Sequence, residues 1–251
     1  MITPTPIQEV DLEFDNGSFN SATFAAATLA NWKALAAVID HTLLKPDATR
    51  NQVESLCDEV VRYRFACAMV NPVWASTAVS VLSGTGIPVG VVIGFPLGAS
   101  LVSTLHQEAA ALIRLGVREL DMVIPIGLLK SGDYLAVQNT IHTVAIAAHS
   151  HGVLLKVILE TALLSMEEKL RGSELSILSG ADFIKTSTGF ASGGATPADV
   201  ALMRGVAGNR CGVKAAGGIR TLANVTALLE AGATRIGASA SVAIVRELGA
   251  E

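Results

Sequence analysis

VLLKVILETALLSMEEKLRGSELSILSGADFIKTS, residues 153–187, holds one full repeat of the pattern that organises this chain. It opens on an apolar run, VLLKVILE (153–160), passes through helical spacing near 166–178, meets Gly180, and returns to a second apolar run, DFIKTS (182–187). Strands covered on both faces read as continuous apolar runs rather than alternations. A glycine just past the last helical turn is a favoured stop. Working outward, the same rhythm predicts strands at AVIDHT (37–42), ACAMVN (66–71), PVGVVIGF (88–95), RELDMVI (118–124), GVKAAG (212–217) and TRIGAS (234–239). Helical segments fall near 49–62, 73–82, 101–115, 133–149, 197–207, 221–230 and 240–249. Asp47 and Thr49, Thr196-Pro197 and Thr221 mark helix starts, and Gly116 and Gly232 mark further stops.

Eight strands, each followed by a helix, in about 215 residues predict an α/β protein of the (β/α)8 TIM-barrel type. A doubly wound sheet is the alternative, but no Gly-x-Gly-x-x-Gly follows the first strand. Residues 1–28 read as an N-terminal extension, a polar tail running into an Ala-rich stretch, and 29–251 as a single barrel domain. A short helix is expected over Leu29–Ala37.

Composition narrows the function classes. With 51% hydrophobic and 16% charged residues over 251 positions, the bulk of the chain is not disordered. A chain of this length buries a large core without disulfides or metals. A net charge of −4 argues against nucleic-acid binding through a basic surface. Phe65 to Gln107 carries no Asp, Glu, Lys or Arg, but Pro72, Gly84, Gly86, Pro88, Gly90, Gly94, Pro96 and Gly98 divide it. Its pieces fall short of the roughly 20 residues a spanning helix needs. The first 20 residues hold acids and no basic leader region, so no secretory signal is expected. Cys57, Cys67 and Cys211 form no CxxC pair, and the five histidines form no ligand grouping. Sparse, unpaired cysteines suit a reducing compartment. The expectation is a cytoplasmic protein that binds neither nucleic acid nor membrane and holds no metal. Several Ala-rich helices suit a homo-oligomer, and equally suit packing on the barrel.

Barrel chemistry sits at the C-terminal ends of strands. The polar residues that interrupt the apolar runs are Asp40, Asp121, Lys156, Lys185 and Lys214. The three lysines are spaced 29 residues apart, one βα repeat each, which places them at comparable depth in adjacent strands. Lysine is almost never buried unless paired, so the bland reading is snorkelling or an ion pair. Three in adjacent strands favour chemistry. An amine attacks a carbonyl only when neutral, and burial beside a second cation lowers its pKa. The resulting iminium stabilises an adjacent carbanion, and an aspartate at the mouth moves protons. These parts suit imine-forming aldol chemistry, and spacing alone does not choose between Lys185 and Lys214. Ser187-Thr188-Gly189, Ala216-Gly217-Gly218-Ile219-Arg220 and Gly237-Ala238-Ser239 follow the last three strands. Such turns offer backbone N–H groups to a phosphate, with Arg220 and Arg235 as added charge. Glu160, just past strand five, suits a supporting polar contact or a structural ion pair.

IDHTLLKPDAT (39–49), VIGFPLG (92–98), ELDMVI (119–124), LKVILE (155–160), DFIKTSTGF (182–190), VKAAGGIR (213–220) and GATRIGAS (232–239) resemble, in order, the motifs of the deoxyribose-phosphate aldolase family. The resemblance implies a class I aldolase on a (β/α)8 barrel, free of metal and organic cofactor. It implies reversible cleavage of 2-deoxy-D-ribose 5-phosphate to acetaldehyde and D-glyceraldehyde 3-phosphate. By the same resemblance Lys185 is the Schiff-base nucleophile, Lys214 the neighbour that perturbs it, and Asp121 the proton donor and acceptor. Asp40 and Thr42 hold substrate hydroxyls or water, and Lys156 supports the polar network. Gly189, Gly217, Gly218 and Ser239 receive the phosphate. The expected scheme takes the C3 hydroxyl proton through Asp121, Lys214 and water and breaks the C3–C4 bond. The chain departs from the family at Pro125, where Asn is common, at Met69, where Cys is frequent, and at Ala240, where some members carry a second serine. Two other readings stay open: a different imine-forming phosphosugar aldolase or transaldolase, and a catalytically silent phosphate-binding barrel.

Overall fold

A computed structural model describes residues 19–251. The chain runs α1 (Ser21–Leu29), α2 (Trp32–Ala36), β1 (Ile39–Leu43), α3 (Arg50–Tyr63), β2 (Cys67–Val70), α4 (Ala75–Val81), β3 (Val89–Ile93) and α5 (Val102–Arg114). It continues through β4 (Glu119–Val123), α6 (Ile126–Lys130), α7 (Tyr134–His149), β5 (Leu154–Ile158), α8 (Met166–Leu178) and β6 (Phe183–Lys185). It ends with α9 (Pro197–Ala207), β7 (Gly212–Ala216), α10 (Leu222–Glu230), β8 (Arg235–Ala238) and α11 (Ser241–Glu247). The eight strands pair in chain order, all parallel, and β8 returns to β1 to close the barrel. The expected (β/α)8 architecture is what the chain forms.

Local chemistry sets the element ends. Thr49 closes a capping box with Gln52, and Thr196 and Thr221 accept the N–H of Asp199 and Asn224. Each such cap contributes roughly 1 kcal/mol. Gly116, Gly180 and Gly232 take φ of 98°, 100° and 111° as their helices end, a conformation open to glycine without a Cβ clash.

Four features differ from expectation, the first being that the helix expected over Leu29–Ala37 is interrupted at Ala30 and Asn31, where α1 has ended at Leu29 and α2 starts at Trp32. Pro125 starts a one-turn helix, α6, where a loop was expected. Pro72 opens a 3-10 turn, so the helix expected from 73 begins in earnest only at Ala75. The expected extension also contains structure. Ala-rich α1, capped by Asn20, docks against α10, and Phe19 lies 4.3 Å from the Arg204 guanidinium. The rest of the expected tail, residues 1–18, lies outside the described residues.

The barrel interior is split. On the β2 and β3 side it is apolar, with Cys67, Met69 and Val92 packed against Leu44 and Phe95. The other strands carry ionic groups inward: Asp40, Glu119, Asp121, Lys156, Lys185 and Lys214 are all buried. Small barrels usually fill this space with branched apolar layers, so the ionic half marks the site.

Candidate active site

Asp121, in β4, is the hub. Its Oδ1 lies 2.8 Å from Lys156 Nζ, and its Oδ2 lies 2.7 Å from both Lys185 Nζ and Lys214 Nζ. The register explains the convergence. Asp121 stands opposite Lys156, and Lys185 stands opposite Lys214. Lys156, however, stands opposite Phe183, two residues before Lys185. The expectation of equal depth therefore holds for Lys185 and Lys214 and fails for Lys156. Sequence repeats do not encode the stagger that closes a barrel.

The ionic network continues below the mouth. Lys214 Nζ reaches Asp40 Oδ2 at 2.5 Å, and Lys156 Nζ reaches Glu119 Oε2 at 2.5 Å. Arg235 closes the lower side, 3.3 Å from Asp40 and 3.4 Å from Glu119. It does not serve the phosphate turns as expected. It opens β8 and points into the barrel among the carboxylates. Glu119 escaped notice in the sequence because an acid at the start of a strand reads as an ordinary surface residue. Asp40, Cys67 and Glu119 bring ligand-type atoms within 4.8 Å of one another. The two carboxylates already face Lys156, Lys214 and Arg235, so the group is an ion-pair network rather than a seat for a metal.

The electrostatics separate the three lysines. Burial pushes the Lys185 amine down to about 8; Asp121 pulls it up, and Lys214 and Lys156 push it further down. Burial acts on Lys156 too, but Asp121, Glu119 and Asp40 together hold it well above the usual range. Burial opposes charge on Asp121, yet Lys156, Lys185 and Lys214 hold its carboxyl well below the usual range. Burial likewise opposes charge on Asp40, which Lys214, Lys156 and Arg235 nevertheless keep low.

Above this network lies a cavity of about 320 Å³, a size that suits a small ligand. Lys185 lines it, whereas Lys156, Lys214, Asp40 and Asp121 do not. Gly189, Gly217, Gly218 and Ser239, in the turns, and Thr42, in β1, all line it. Lys45, Phe190 and Arg220 complete the rim. Lys45 and Phe190 carried no signal in the sequence beyond their place in loops after β1 and β6. Gly217 has φ 93°, and a Cβ there would lie 3.2 Å from Gly194 Cα and 3.3 Å from Ser187 Cβ. A side chain would prise apart the turns that form the cavity wall. Gly237 makes room of another kind: a Cβ there would lie 3.1 Å from Lys214 Cε.

Glu160 makes no ion pair with the lysines. It adopts φ 58° and accepts from the Thr188 N–H and hydroxyl, tying the loop after β6 to the end of β5. Pro125 stands at the N-cap of α6, and Met69 packs in the apolar half of the barrel. Ala240 stands just before α11, whose Ser241 hydroxyl turns inward to the Ala238 carbonyl. His149 pairs with Asp182 and His41 with Glu59, and neither histidine lines the cavity.

A family model described as DeoC/LacD family aldolase matches residues 11–246. The chain is 50% identical over 214 residues to a deoxyribose-phosphate aldolase of Thermoanaerobacter sp. (strain X514), covering 85% of this chain and 96% of that one. It is 50% identical over 216 residues to one from Aciduliprofundum boonei, covering 86% and 97%. A solved deoxyribose phosphate aldolase from Aeropyrum pernix, described as tetrameric, superposes with a TM-score of 0.85 at 33% identity, covering 91% and 96%. A 3-hexulose-6-phosphate synthase, at 17% identity and TM-score 0.56, shares the fold alone.

Proposed function

The chain belongs to the DeoC/LacD family of aldolases, and from that premise we infer how its barrel works. It is a carbon–carbon lyase acting on small molecules, and its reaction is the reversible cleavage of 2-deoxy-D-ribose 5-phosphate to acetaldehyde and D-glyceraldehyde 3-phosphate. We propose Lys185 as the nucleophile. The observation that carries this is its position: among the three buried lysines that meet at Asp121, it lines the cavity.

The open-chain aldehyde enters with its phosphate against the turns after β6, β7 and β8. The backbone N–H groups of Gly189, Gly217, Gly218 and Ser239 hold it there, with Arg220 and Lys45 at the rim. The neutral Lys185 amine adds to C1, and loss of water gives an iminium. Carbon balance then corrects the bond expected from the sequence. Acetaldehyde carries two carbons, C1 and C2, so the bond that breaks is C2–C3, not C3–C4. The C3 hydroxyl gives up its proton, C3 becomes the aldehyde carbon of glyceraldehyde 3-phosphate, and the C2–C3 electron pair moves into the enamine. Protonation at C2 and addition of water release acetaldehyde and restore the amine. Asp121 and Lys214 hold and return the protons through water, since Asp121 lies 2.7 Å from both the Lys185 and the Lys214 amine. Asp40 and Lys156 hold that pair in place, and the Thr42 hydroxyl, 2.8 Å from the Asp40 carbonyl, faces the substrate hydroxyls. The scheme uses no metal and no organic cofactor.

We further place the barrel domain at 29–251, preceded by an extension over 1–28, and place the protein in the cytoplasm as a homo-oligomer. The free thiols of Cys57, Cys67 and Cys211 support a reducing compartment, and the tetrameric relative supports assembly. No helix of the described residues is long and apolar enough to cross a membrane.

Borohydride trapping tests the nucleophile. Substoichiometric acetaldehyde, reduction and digestion should place a reduced two-carbon adduct on Lys185. Labelling scattered over surface lysines, with Lys185 no faster than the rest, would refute the assignment.

A further inference from the structure

Arg235 has no part in the scheme above, yet it stands inside the barrel. It is the register partner of Lys214, and its side chain is 14% exposed. Its Nη1 lies 3.3 Å from Asp40 Oδ1, its Nη2 lies 3.4 Å from Glu119 Oε1, and its guanidinium sits 5.5 Å from the Phe183 ring centre. The second oxygen of each carboxylate faces a lysine: Asp40 Oδ2 faces Lys214, and Glu119 Oε2 faces Lys156. Each acid thus bridges Arg235 to a lysine that also touches Asp121.

The charge count of this cluster is uneven. Among the described residues it holds three carboxylates, Asp40, Glu119 and Asp121, against four cations, Lys156, Lys185, Lys214 and Arg235. An excess charge in a dry interior is costly, and such a group ordinarily neutralises. Arginine cannot give up its proton in a protein. Lys156 faces three carboxylates within 3.7 Å, and Lys214 faces two. Lys185 faces one, Asp121, and shares it with both other lysines. It is the least compensated of the four. The other groups facing it are Lys156 from β5 and Lys214 from β7, while Cys67 faces Asp40 and Glu119 from β2 as a neutral thiol, held so by burial and by those acids. Glu160, past β5, has its bonds directed to Thr188.

We propose that Arg235 is a positioning residue for imine formation: by holding Asp40 and Glu119 as a permanent fourth cation, it leaves one cation without a matching carboxylate and makes Lys185 the group that sheds a proton. This deepens the reading of Lys185 as the reacting amine and rests on it. Removing Arg235 gives three cations against three carboxylates. Lys185 then keeps its proton to higher pH. Removing the Glu119 charge has the opposite effect, four cations against two carboxylates.

The test is the rate of borohydride-trapped imine at Lys185, followed from pH 6 to 10 in the full-length protein, R235M, R235K and E119Q, each checked for native circular dichroism. R235M should move the acid limb of the profile up by on the order of one pH unit, and so lose roughly tenfold at pH 7 while recovering near pH 10. R235K should keep the limb near that of the unmodified protein, and E119Q should move it down. Where R235M fails to fold, the sign of the E119Q shift decides. A folded R235M with an unmoved limb, an R235K that shifts as R235M does, or an E119Q limb that fails to move down overturns the proposal. Absence of trapping at Lys185 in the unmodified protein would instead refute the nucleophile assignment, so the two failures are distinct.

Discussion

Replacing Lys185 by Met should make the protein inactive and more stable. The folded amine titrates near 8 instead of 10.5, chiefly because it is buried. At about 1.4 kcal/mol per pH unit, that displacement means the folded state disfavours the ammonium by about 3 kcal/mol. Below pH 8 both the folded and unfolded forms are protonated, so the whole cost is present. Between about 8 and 10.5 the unfolded chain binds more protons than the folded one, and stability climbs with pH. K185M never carries the charge. Asp121 keeps Lys156 at 2.8 Å and Lys214 at 2.7 Å, so no carboxylate is orphaned. The loss of one hydrogen bond to the neutral amine subtracts about 1 kcal/mol. K185M should therefore exceed the unmodified protein by roughly 2 kcal/mol at pH 7, and the gap should shrink as pH rises and change sign by about pH 10.5, where the lost hydrogen bond outweighs what remains of the penalty. Urea unfolding midpoints at a series of pH values measure it. A K185M that is less stable at pH 7, or a gap that does not change between pH 7 and 10.5, would refute the reasoning.

Two further perturbations test other parts of the site. K214M removes a cation that pushes Lys185 down and leaves Asp121 shared between Lys185 and Lys156 only, so the acid limb of imine trapping should move up by about one pH unit. An unmoved limb, measured by trapping rate, would show that Lys214 does not tune the amine. G217A puts a Cβ against Gly194 and Ser187 at a φ of 93°, costing on the order of 1 kcal/mol of stability. It should raise KM for deoxyribose 5-phosphate roughly tenfold, about 1.4 kcal/mol of lost phosphate binding, while imine trapping with free acetaldehyde is little changed. Equal losses for both substrates would move the phosphate elsewhere.

The repeat of apolar runs and helical spacing was legible because barrel strands are buried on both faces and carry no alternating polar positions to blur them. What escaped was short or long-range. α6 has five residues and a proline at its start, too few for a period to show. The lysine trio was visible, but its depth was not. Register depends on how eight strands tilt together, and that is a property of the closed barrel rather than of any one strand. Lys185 and Lys214 each follow an apolar residue and precede small ones, so local sequence treats them alike. Only the folded chain shows that one lines the cavity and the other does not. Arg235 misled for the same reason, since a basic residue before a glycine-bearing turn looks like a phosphate ligand until the strand is seen to turn it inward.

A lysine pair beside an aspartate does not by itself make a nucleophile, because a carboxylate at 2.7 Å favours the ammonium. The balance tips here because Asp121 is divided among three lysines and because the cluster as a whole carries one more cation than carboxylates. This places a constraint on the other half of the site. A phosphate dianion brought into the cavity favours the ammonium again and works against the amine it must meet. Holding the phosphate at the far wall, on the turns after β6 to β8, limits that effect. So do the cations at the rim: Lys45 and Arg220 both line the cavity and are exposed. They offset the phosphate charge at the mouth without entering the buried count. Removing either should therefore weaken phosphate binding and also raise the pH at which Lys185 becomes reactive with the phosphorylated substrate, while the pH profile with acetaldehyde alone stays in place.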